Sequence, residues 1–230
     1  MKDSNMTEEW VRAQWARNPC VKLASGDIRT GPVRGSFVHL LKASKPTPQK
    51  PDGGYGMVLL FPLGVDISVL ENEARAVAKA KWPEAGKPGG PKLFYPIRDQ
   101  DLDGKNQPGE SDRYAGYEKG AKRIGANTND RVTPCDLQLA PILDEKEIYA
   151  GAWYIVTLRC STFETQGNKG VTFFLQAVMK VADDVNISGT APARPSEAFA
   201  GVAIDAGDIN PDAAFGTAEK KVVAEVDPFA

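Results

Sequence analysis

Apolar and polar side chains alternate most regularly in residues 147–184, which predicts two long β-strands joined by a tight turn. One side of the first strand is mostly apolar, and its predicted core positions are Ala150, Ala152, Tyr154, Val156, Leu158 and Cys160. The opposite side mixes rings, hydroxyls and a guanidinium, at Tyr149, Gly151, Trp153, Ile155, Thr157, Arg159, Ser161 and Phe163. Residues 165–168 have turn chemistry, and residues 171–181 supply the return strand.

A short helix is predicted near the start of the chain. Thr7 is a suitable N-cap, acidic residues follow it, and Pro19 stops the helix. Trp10 and Trp15 would lie on neighbouring parts of its surface. The pattern favours packing of both rings on the body of the protein, and base stacking is the alternative.

The clearest helical pattern spans residues 66–82, with Asp66 as the predicted cap. Strands are predicted at residues 33–41, 55–62 and 93–97, each bounded by loops rich in proline, glycine or charge. The chain therefore reads as mainly β with peripheral helices.

Composition excludes several classes of protein. Hydrophobic residues make up 42% and charged residues 25%, which is ordinary for a folded chain. Cys20, Cys135 and Cys160 are far apart, which argues against a disulfide framework or a zinc site and for a reducing compartment. His39 is the single histidine, so a histidine metal cluster is not expected. No apolar run approaches the roughly 18 residues of a membrane span, and a secretory signal is not expected.

Charge is divided unevenly along the chain. From Glu197 onward, seven acids stand against two lysines, a balance of −5. The remainder carries 26 basic and 23 acidic residues, a balance of +3. A mildly basic body with an acidic end is able to bind a polyanion and to compete with that binding through its own tail.

Rings and bases interleave in residues 114–124, a pattern typical of nucleic-acid surfaces. The residues concerned are Tyr114, Tyr117, Lys119, Lys122 and Arg123. The outward rings and arginine of the long hairpin fit the same use, because single-strand binders hold bases on exposed aromatic side chains. Chance clustering on the surface is the alternative.

The loop of residues 42–54 contains Lys42, Lys45 and Lys50 among prolines and glycines. It is interpreted either as a basic flap over a phosphate backbone or as a solvated connection between strands.

Residues 99–110 fit the calcium-loop pattern D-x-D-x-D-G-x5-E. The context does not, because a strand is predicted before the loop, Pro108 lies within it and Asn106 is polar. We therefore predict a solvated acidic turn and no metal site, and calcium binding is the alternative.

Six segments together resemble the phage-encoded single-stranded-DNA-binding protein family. They are VRGSFVHLLKA, PIRDQDL, YAGYEKGAK, VTPCDL, EIYAGAWYIVTLRCSTFE and GNKGVTFFLQAVMKV. The similarity covers residues 29–184 and is strongest in the last segment. Matching positions are Ser36, Phe37, Tyr149, Gly151, Arg159, Lys169, Gly170, Val171, Leu175 and Gln176. Phe173 and Phe174 stand where the family usually has small residues, which predicts a bulkier wall.

The resemblance implies an OB-type five-stranded β-barrel with a long hairpin and a disordered acidic C-terminal tail. The expected divisions are an N-terminal extension with a short helix at 1–28, the DNA-binding domain at 29–185 and a flexible tail at 186–230. The last four residues also resemble the acidic Pro-Phe tip of bacterial single-stranded-DNA-binding proteins. Asp227, Pro228 and Phe229 are therefore expected to bind partner proteins.

The expected activity is sequence-nonspecific coating of single-stranded DNA during phage replication and recombination, in the cytoplasm of the infected bacterial host. Side chains expected to stack on bases are Trp153, Tyr149, Phe163, Tyr114 and Tyr117. Those expected to contact phosphates are Arg159, Lys169, Lys119, Lys122 and Arg123. A bulge in the strand would turn Trp153 into the core, and that alternative stays open.

No catalytic residue, cofactor or membrane contact is expected. The expected partners are single-stranded DNA and, through the tail, phage or host replication and recombination proteins. A non-enzymatic structural or protein-interaction module with an OB-like fold is the alternative, and the oligomeric state, a homodimer included, is left open.

Overall fold

A computed structural model describes residues 3–46, 51–102, 109, 113–165 and 167–188, all within a unit that spans residues 1–191. Its helices are α1 Glu8–Arg17 and α2 Ser68–Lys81, with one 3-10 turn, Glu145–Glu147. Its strands are β1 Val21–Lys22, β2 Ile28–Arg29, β3 Val33–His39, β4 Tyr55–Leu60, β5 Leu93–Phe94, β6 Ile97–Asp99, β7 Lys122–Thr128, β8 Trp153–Thr165 and β9 Asn168–Ala182. The strands form one nine-stranded sheet, so the prediction of a mainly β fold with peripheral helices is confirmed.

Five of the strands pair in a closed ring, in the order β3, β4, β7, β9 and β8, and β8 pairs back with β3. All of these pairs are antiparallel except β7 with β9, which is parallel. The long hairpin pairs β8 with β9 from Trp153 opposite Ala182 to Thr165 opposite Asn168, and its register shifts after Trp153 and again after Thr157. The predicted hairpin is therefore confirmed.

The interior of the ring is lined by side chains that recur every second residue. Those on the hairpin include Tyr154, Val156, Leu158, Val171, Phe173 and Leu175, each at most 2% exposed. Met57, Leu59, Ile124 and Ala126 face them from β4 and β7. Burial of each large apolar side chain stabilises the fold by about 1.5–3 kcal/mol. Phe173 lies in this core, whereas Phe174 points outward and is 37% exposed.

Helix α1 packs on the same core. The Thr7 hydroxyl accepts a hydrogen bond from the backbone N–H of Trp10, which confirms the predicted cap. Trp15 is buried and its indole N–H donates to the carbonyl of Pro32 at 2.7 Å. The ring of Trp10 meets that of Trp153 edge-on, with centroids 5.5 Å apart. The interpretation that both tryptophans pack α1 on the body is confirmed.

Helix α2 begins two residues later than predicted. Its N-cap position is Ile67, and no side chain caps it. The Asp66 carboxylate instead accepts a hydrogen bond from the N–H of Ser68 at 2.8 Å, a local turn that precedes the helix. Leu70, Ala74 and Ala78 form the buried stripe.

The strand predicted at residues 93–97 is divided in two. β5 pairs in parallel with β9, whereas β6 pairs antiparallel with β7. Pro96 lies between them and has no backbone N–H to continue a ladder. The short strands β1 and β2 were not predicted, and β2 pairs with β8 at the edge of the sheet.

Arg34 of β3 forms a buried ion pair with Asp184, which follows β9, and it also contacts the first described residues. Arg34 and Asp184 side chains are both fully buried, with Nε and Oδ2 3.7 Å apart. Arg34 also donates to the carbonyls of Gly151 and Val185, each at 3.0 Å, and to that of Asp3. Burial would by itself raise the pKa of Asp184. Hydrogen bonds from Ser4, Asn5, Val185 and Trp153 outweigh that effect and hold the pKa below its usual value.

Candidate nucleic-acid interface

A bulge in β3 presents the ring of Phe37 to solvent. The register of β3 against β4 shifts between Ser36 and His39, and Phe37 has a φ of +47°. This left-handed backbone is unfavourable by about 1–2 kcal/mol for an L-residue. The Phe37 side chain is 50% exposed, so burial of its ring does not offset that strain. Strained residues of this kind cluster at functional sites.

Tyr114 stands next to Phe37. Their ring centroids are 5.5 Å apart with an interplanar angle of 82°, and Tyr117 lies 5.4 Å from Tyr114 on its other side. Tyr117 is only 2% exposed, so its expected exposure is wrong: it supports Tyr114 from beneath. The accessible rings of this cluster are Phe37 and Tyr114.

These two rings border a groove of about 630 Å³. Its other lining residues include Arg113, Tyr149, Ile187 and Ser188. The Arg113 guanidinium is exposed and has no ion pair among the described residues. A cation beside exposed rings supplies the two contacts that a nucleotide offers, a phosphate and a base face.

Tyr149 lines the groove but is already engaged. Its hydroxyl hydrogen-bonds the Asp183 carboxylate at 2.8 Å, and the Lys180 ammonium lies 5.4 Å from the ring centroid. Burial raises the pKa of Tyr149 to about 12, and the hydrogen bond to Asp183 adds to the rise. Lys180 therefore covers one face of the Tyr149 ring. Tyr149 forms part of the groove wall and does not offer that face to a base.

Trp153 is fully buried, so the expectation that it is an exposed ring is wrong. The hairpin register shifts between Trp153 and Tyr154, and both side chains are enclosed. Tyr154 faces the ring interior, whereas Trp153 is covered by Trp10 and donates its indole N–H to Asp184 at 2.9 Å. A base cannot reach this ring in the folded structure.

Most of the predicted cations are paired. Arg159 donates to both carboxylate oxygens of Asp27, at 2.8 and 3.1 Å, and this hydrogen bonding lowers the pKa of Asp27. Lys169 pairs with Glu164 and Lys122 with Asp99, each at 2.5 Å. Arg123 donates to the carbonyl of Leu102 at 2.7 Å. Lys119 is exposed and has no ion pair within the described ranges.

The predicted site residues therefore form two separate groups. Tyr114 and Lys119 lie in the loop before β7, where Tyr114 contacts Phe37, whereas Phe163 and Lys169 lie near the tip of the long hairpin. Phe163 is half-buried opposite Gly170. Phe37 was missed as a site residue because a bulge is invisible to a period-two pattern, and Arg113 was missed because its place beside Phe37 depends on tertiary contacts. The family resemblance did mark Phe37 as a matching position.

Two other predictions fall partly or wholly outside the described residues. Asp99 ends β6 and pairs with Lys122, but most of the calcium-like loop, residues 103–108 and 110, is not described. The tail residues Asp227, Pro228 and Phe229 also lie outside the residues that the structure describes. Within the described ranges, no group of three or more His, Cys, Asp or Glu side chains is placed to hold a metal ion. Neither described helix has the length and hydrophobicity that a bilayer crossing requires.

Exposed aromatic side chains on a closed set of strands, beside cations that form no ion pair with the described residues, are the type of surface that single-strand nucleic-acid binders use. The family model described as "Enterobacter phage Enc34, ssDNA-binding protein" matches residues 26–209. This match spans more than half of the sequence, so the chain belongs to the Enc34 single-stranded-DNA-binding protein family, and the predicted family is confirmed.

Solved structures of the single-stranded DNA-binding protein from bacteriophage Enc34 share the fold. The structure in complex with ssDNA is 23% identical, covers 73% of this chain and 92% of its own, and gives a TM-score of 0.56. A second structure of that protein is 22% identical, covers 78% and 93%, and also gives 0.56. No curated protein sequence matches the chain.

Proposed function

We propose that this protein binds single-stranded DNA without base-sequence preference and coats exposed phage DNA during replication and recombination. Its membership of the Enc34 family supports the activity. The observation that carries the site is the exposed ring of Phe37, held on a strained bulge against Tyr114 and beside Arg113, which forms no ion pair with a described residue. The proposal includes no enzymatic step and no cofactor, and it places the protein in the cytoplasm of the infected bacterium.

The mechanism follows from the chemistry of the groove. Bases stack on Phe37 and Tyr114, while Arg113 and Lys119 attract the phosphates. Each stacked base contributes about 1–3 kcal/mol, whichever base it is, because every base has a π-face. Duplex DNA binds less well, since its bases are already stacked on each other and do not reach the rings.

We infer that the five-strand ring is an OB-type barrel. In such barrels the second and third strands, with the loops between strands 1 and 2 and strands 4 and 5, form the ligand face. Here β4 and β7 are the second and third strands of the ring. On their outer face a Cβ added at Gly125 would meet no atom within 4 Å, so this surface is open. Ser36, next to Phe37, pairs with Val58 of β4, which places the bulge beside that face.

The loop between β3 and β4 is the proposed basic flap. Lys42 and Lys45 are exposed there and have no ion pair within the described ranges. Lys50 lies outside the described residues. The flap follows directly after the end of β3, where Val38 and His39 line the Phe37 groove, so its lysines add positive charge near that groove.

We further propose that residues 29–185 are the DNA-binding domain, residues 1–28 an extension packed on it, and residues 186–230 an acidic tail that competes with DNA and docks partner proteins. Ser188, the last described residue and the third residue of this proposed tail, lines the Phe37 groove. The acidic residues of the tail follow Ser188 in the sequence. The tail therefore begins next to the groove in which its acidic residues would compete with DNA.

Electrophoretic mobility shift and titration with oligothymidine test this function. The wild type should shift single-stranded DNA at concentrations that leave duplex DNA free. Phe37→Ala should weaken binding about 5- to 150-fold, which corresponds to about 1–3 kcal/mol. Leu143→Ala is the control, because Leu143 is 67% exposed and lies outside the groove. Equal affinity of the wild type for single-stranded and duplex DNA would contradict the proposal.

A further inference from the structure

We propose a second contact site for single-stranded DNA, centred on Phe94 at the tip end of the long hairpin, with Lys92 and Arg98 as its phosphate contacts. This inference rests on the proposed function and adds a subsite to it. None of these three residues was among the predicted site residues, because their placement depends on the pairing of β5 and β6 with distant strands.

Phe94 is an exposed ring on a short strand at the edge of the sheet. It is 49% exposed and pairs with Gly170 of β9. A Cβ on Gly170 would lie 2.8 Å from the Phe94 Cβ and 2.9 Å from Cε1 of Phe163. Because Gly170 has no side chain, Phe94 of β5 and Phe163 of β8 can both approach it from the two neighbouring strands. The predicted stacking residue Phe163 belongs to this second group.

A groove of about 630 Å³ runs beside Phe94, and Lys92 and Arg98 line it. Neither cation has an ion pair within the described ranges. Two nearby acids are paired with other cations, since Asp99 pairs with Lys122 and Glu164 with Lys169. The site therefore offers an exposed ring together with two cations that form no ion pair with any described residue, a combination that suits a polyanion with flat bases.

The two sites are connected across the outer surface of the sheet. β3, β4, β7 and β6 are successive neighbours, and Arg98 of β6 pairs with Arg123 of β7. Three strand spacings separate β3 from β6, about 14 Å. Gly125 lies between them with open space above it. One DNA strand that stacks on Phe37 can cross β4 and β7 and reach the Phe94 groove within the length an OB fold usually occupies, about 4–16 nucleotides.

The test compares oligothymidines of about 6 and about 16 nucleotides at low salt. Phe94→Ala and Arg98→Ala should weaken binding of the longer oligonucleotide at least about fivefold. They should leave the shorter one, held at the Phe37 groove, unchanged. Arg98→Ala should also reduce the slope of log affinity against log salt by about 0.7. Lys146→Ala is the matched control, because Lys146 is exposed on the 3-10 turn and lines neither groove.

The outcomes separate the two proposals. If Phe37→Ala weakens both oligonucleotides while Phe94→Ala and Arg98→Ala bind the longer one like the wild type, the second site is wrong and the function stands. If the wild type binds neither oligonucleotide, the function itself fails. If Phe94→Ala changes only the sedimentation of the protein and not its DNA affinity, Phe94 is a protein contact and the inference is overturned.

Discussion

Phe37 has a backbone that suits glycine and a side chain that suits a base. Phe37→Gly removes the ring and relieves the left-handed strain, whereas Phe37→Ala removes the ring and keeps the strain. We therefore expect the glycine variant to be the more stable of the two by about 1 kcal/mol in urea unfolding, after the greater chain entropy of glycine is allowed for. Both should lose affinity for oligothymidine to a similar extent. A glycine variant less stable than the alanine variant would show that the bulge is not strained.

Asp184 carries a second prediction, since its carboxylate is buried against Arg34. Asp184→Asn leaves the guanidinium without its counter-charge and should destabilise the protein by about 3–5 kcal/mol. Ser4→Ala removes only one donor to the same carboxylate and should cost about 1 kcal/mol. Thermal unfolding of the three proteins measures both effects. Equal melting temperatures for the wild type and Asp184→Asn would contradict the role given to this pair.

The same carboxylate makes stability depend on pH. The pKa of Asp184 is lower in the folded state than the unfolded value of about 3.9. Its contribution is therefore complete above about pH 4 and is lost as the pH falls through the folded pKa. Acid unfolding followed by circular dichroism should show a steeper loss below pH 4 for the wild type than for Asp184→Asn. Parallel curves would exclude Asp184 as a source of the acid sensitivity.

Among the structural elements, the outer face of β4 and β7 is the proposed path of the DNA, and Gly125 lies on it. The residue has ordinary backbone angles and open space at its Cβ position, so Gly125→Leu should change stability by no more than about 0.5 kcal/mol. The added side chain should nevertheless obstruct a bound strand and lower DNA affinity at least about fivefold. Gln138→Leu adds the same side chain to an exposed loop and should leave affinity unchanged. Unaltered binding by Gly125→Leu would place the DNA elsewhere.

The strands show which features the hydrophobic pattern of the sequence could predict and which it could not. Alternation predicted the hairpin of β8 and β9 and its core face, because Tyr154, Val156 and Leu158 follow a period of two. The same alternation placed Trp153 outside. Its burial arises from a register shift and from the cover that Trp10 provides, and both depend on contacts between distant segments. The bulge at Phe37 was not predictable for a similar reason, since it appears only once β3 pairs with β4.

At the residue level, sequence proximity identified the Tyr114 cluster but not its roles. Tyr114 and Tyr117 are three positions apart, and tertiary packing buries one and leaves the other beside Phe37. The charged candidates show the same limit. Arg159 looked free in the sequence, and its partner Asp27 comes from the connection between β1 and β2, short strands that no pattern predicted.

For the whole molecule, the acidic tail supplies the fifth prediction. Removal of residues 189–230 should tighten binding to oligothymidine at low salt, because the tail no longer competes for the cations of the body. The difference should vanish at about 1 M salt, where the Debye length is about 3 Å. A full-length variant with the tail acids replaced by amides separates charge from length and should behave like the truncated protein. Affinity that is indifferent to both changes at every salt concentration would refute competition.

The hydrogen bond between the Ser4 hydroxyl and the Asp184 carboxylate brings two distant parts of the polypeptide together. A short linker could join these neighbouring positions, and the chain could be reopened at the exposed Gly167 in the hairpin tip. In such a circular permutant the acidic tail could be omitted or attached at another position, and the residues that line the Phe37 groove would keep their places in the fold. The contact thus makes the protein suitable as a scaffold for sensors in which a reporter is inserted beside the proposed DNA-binding groove.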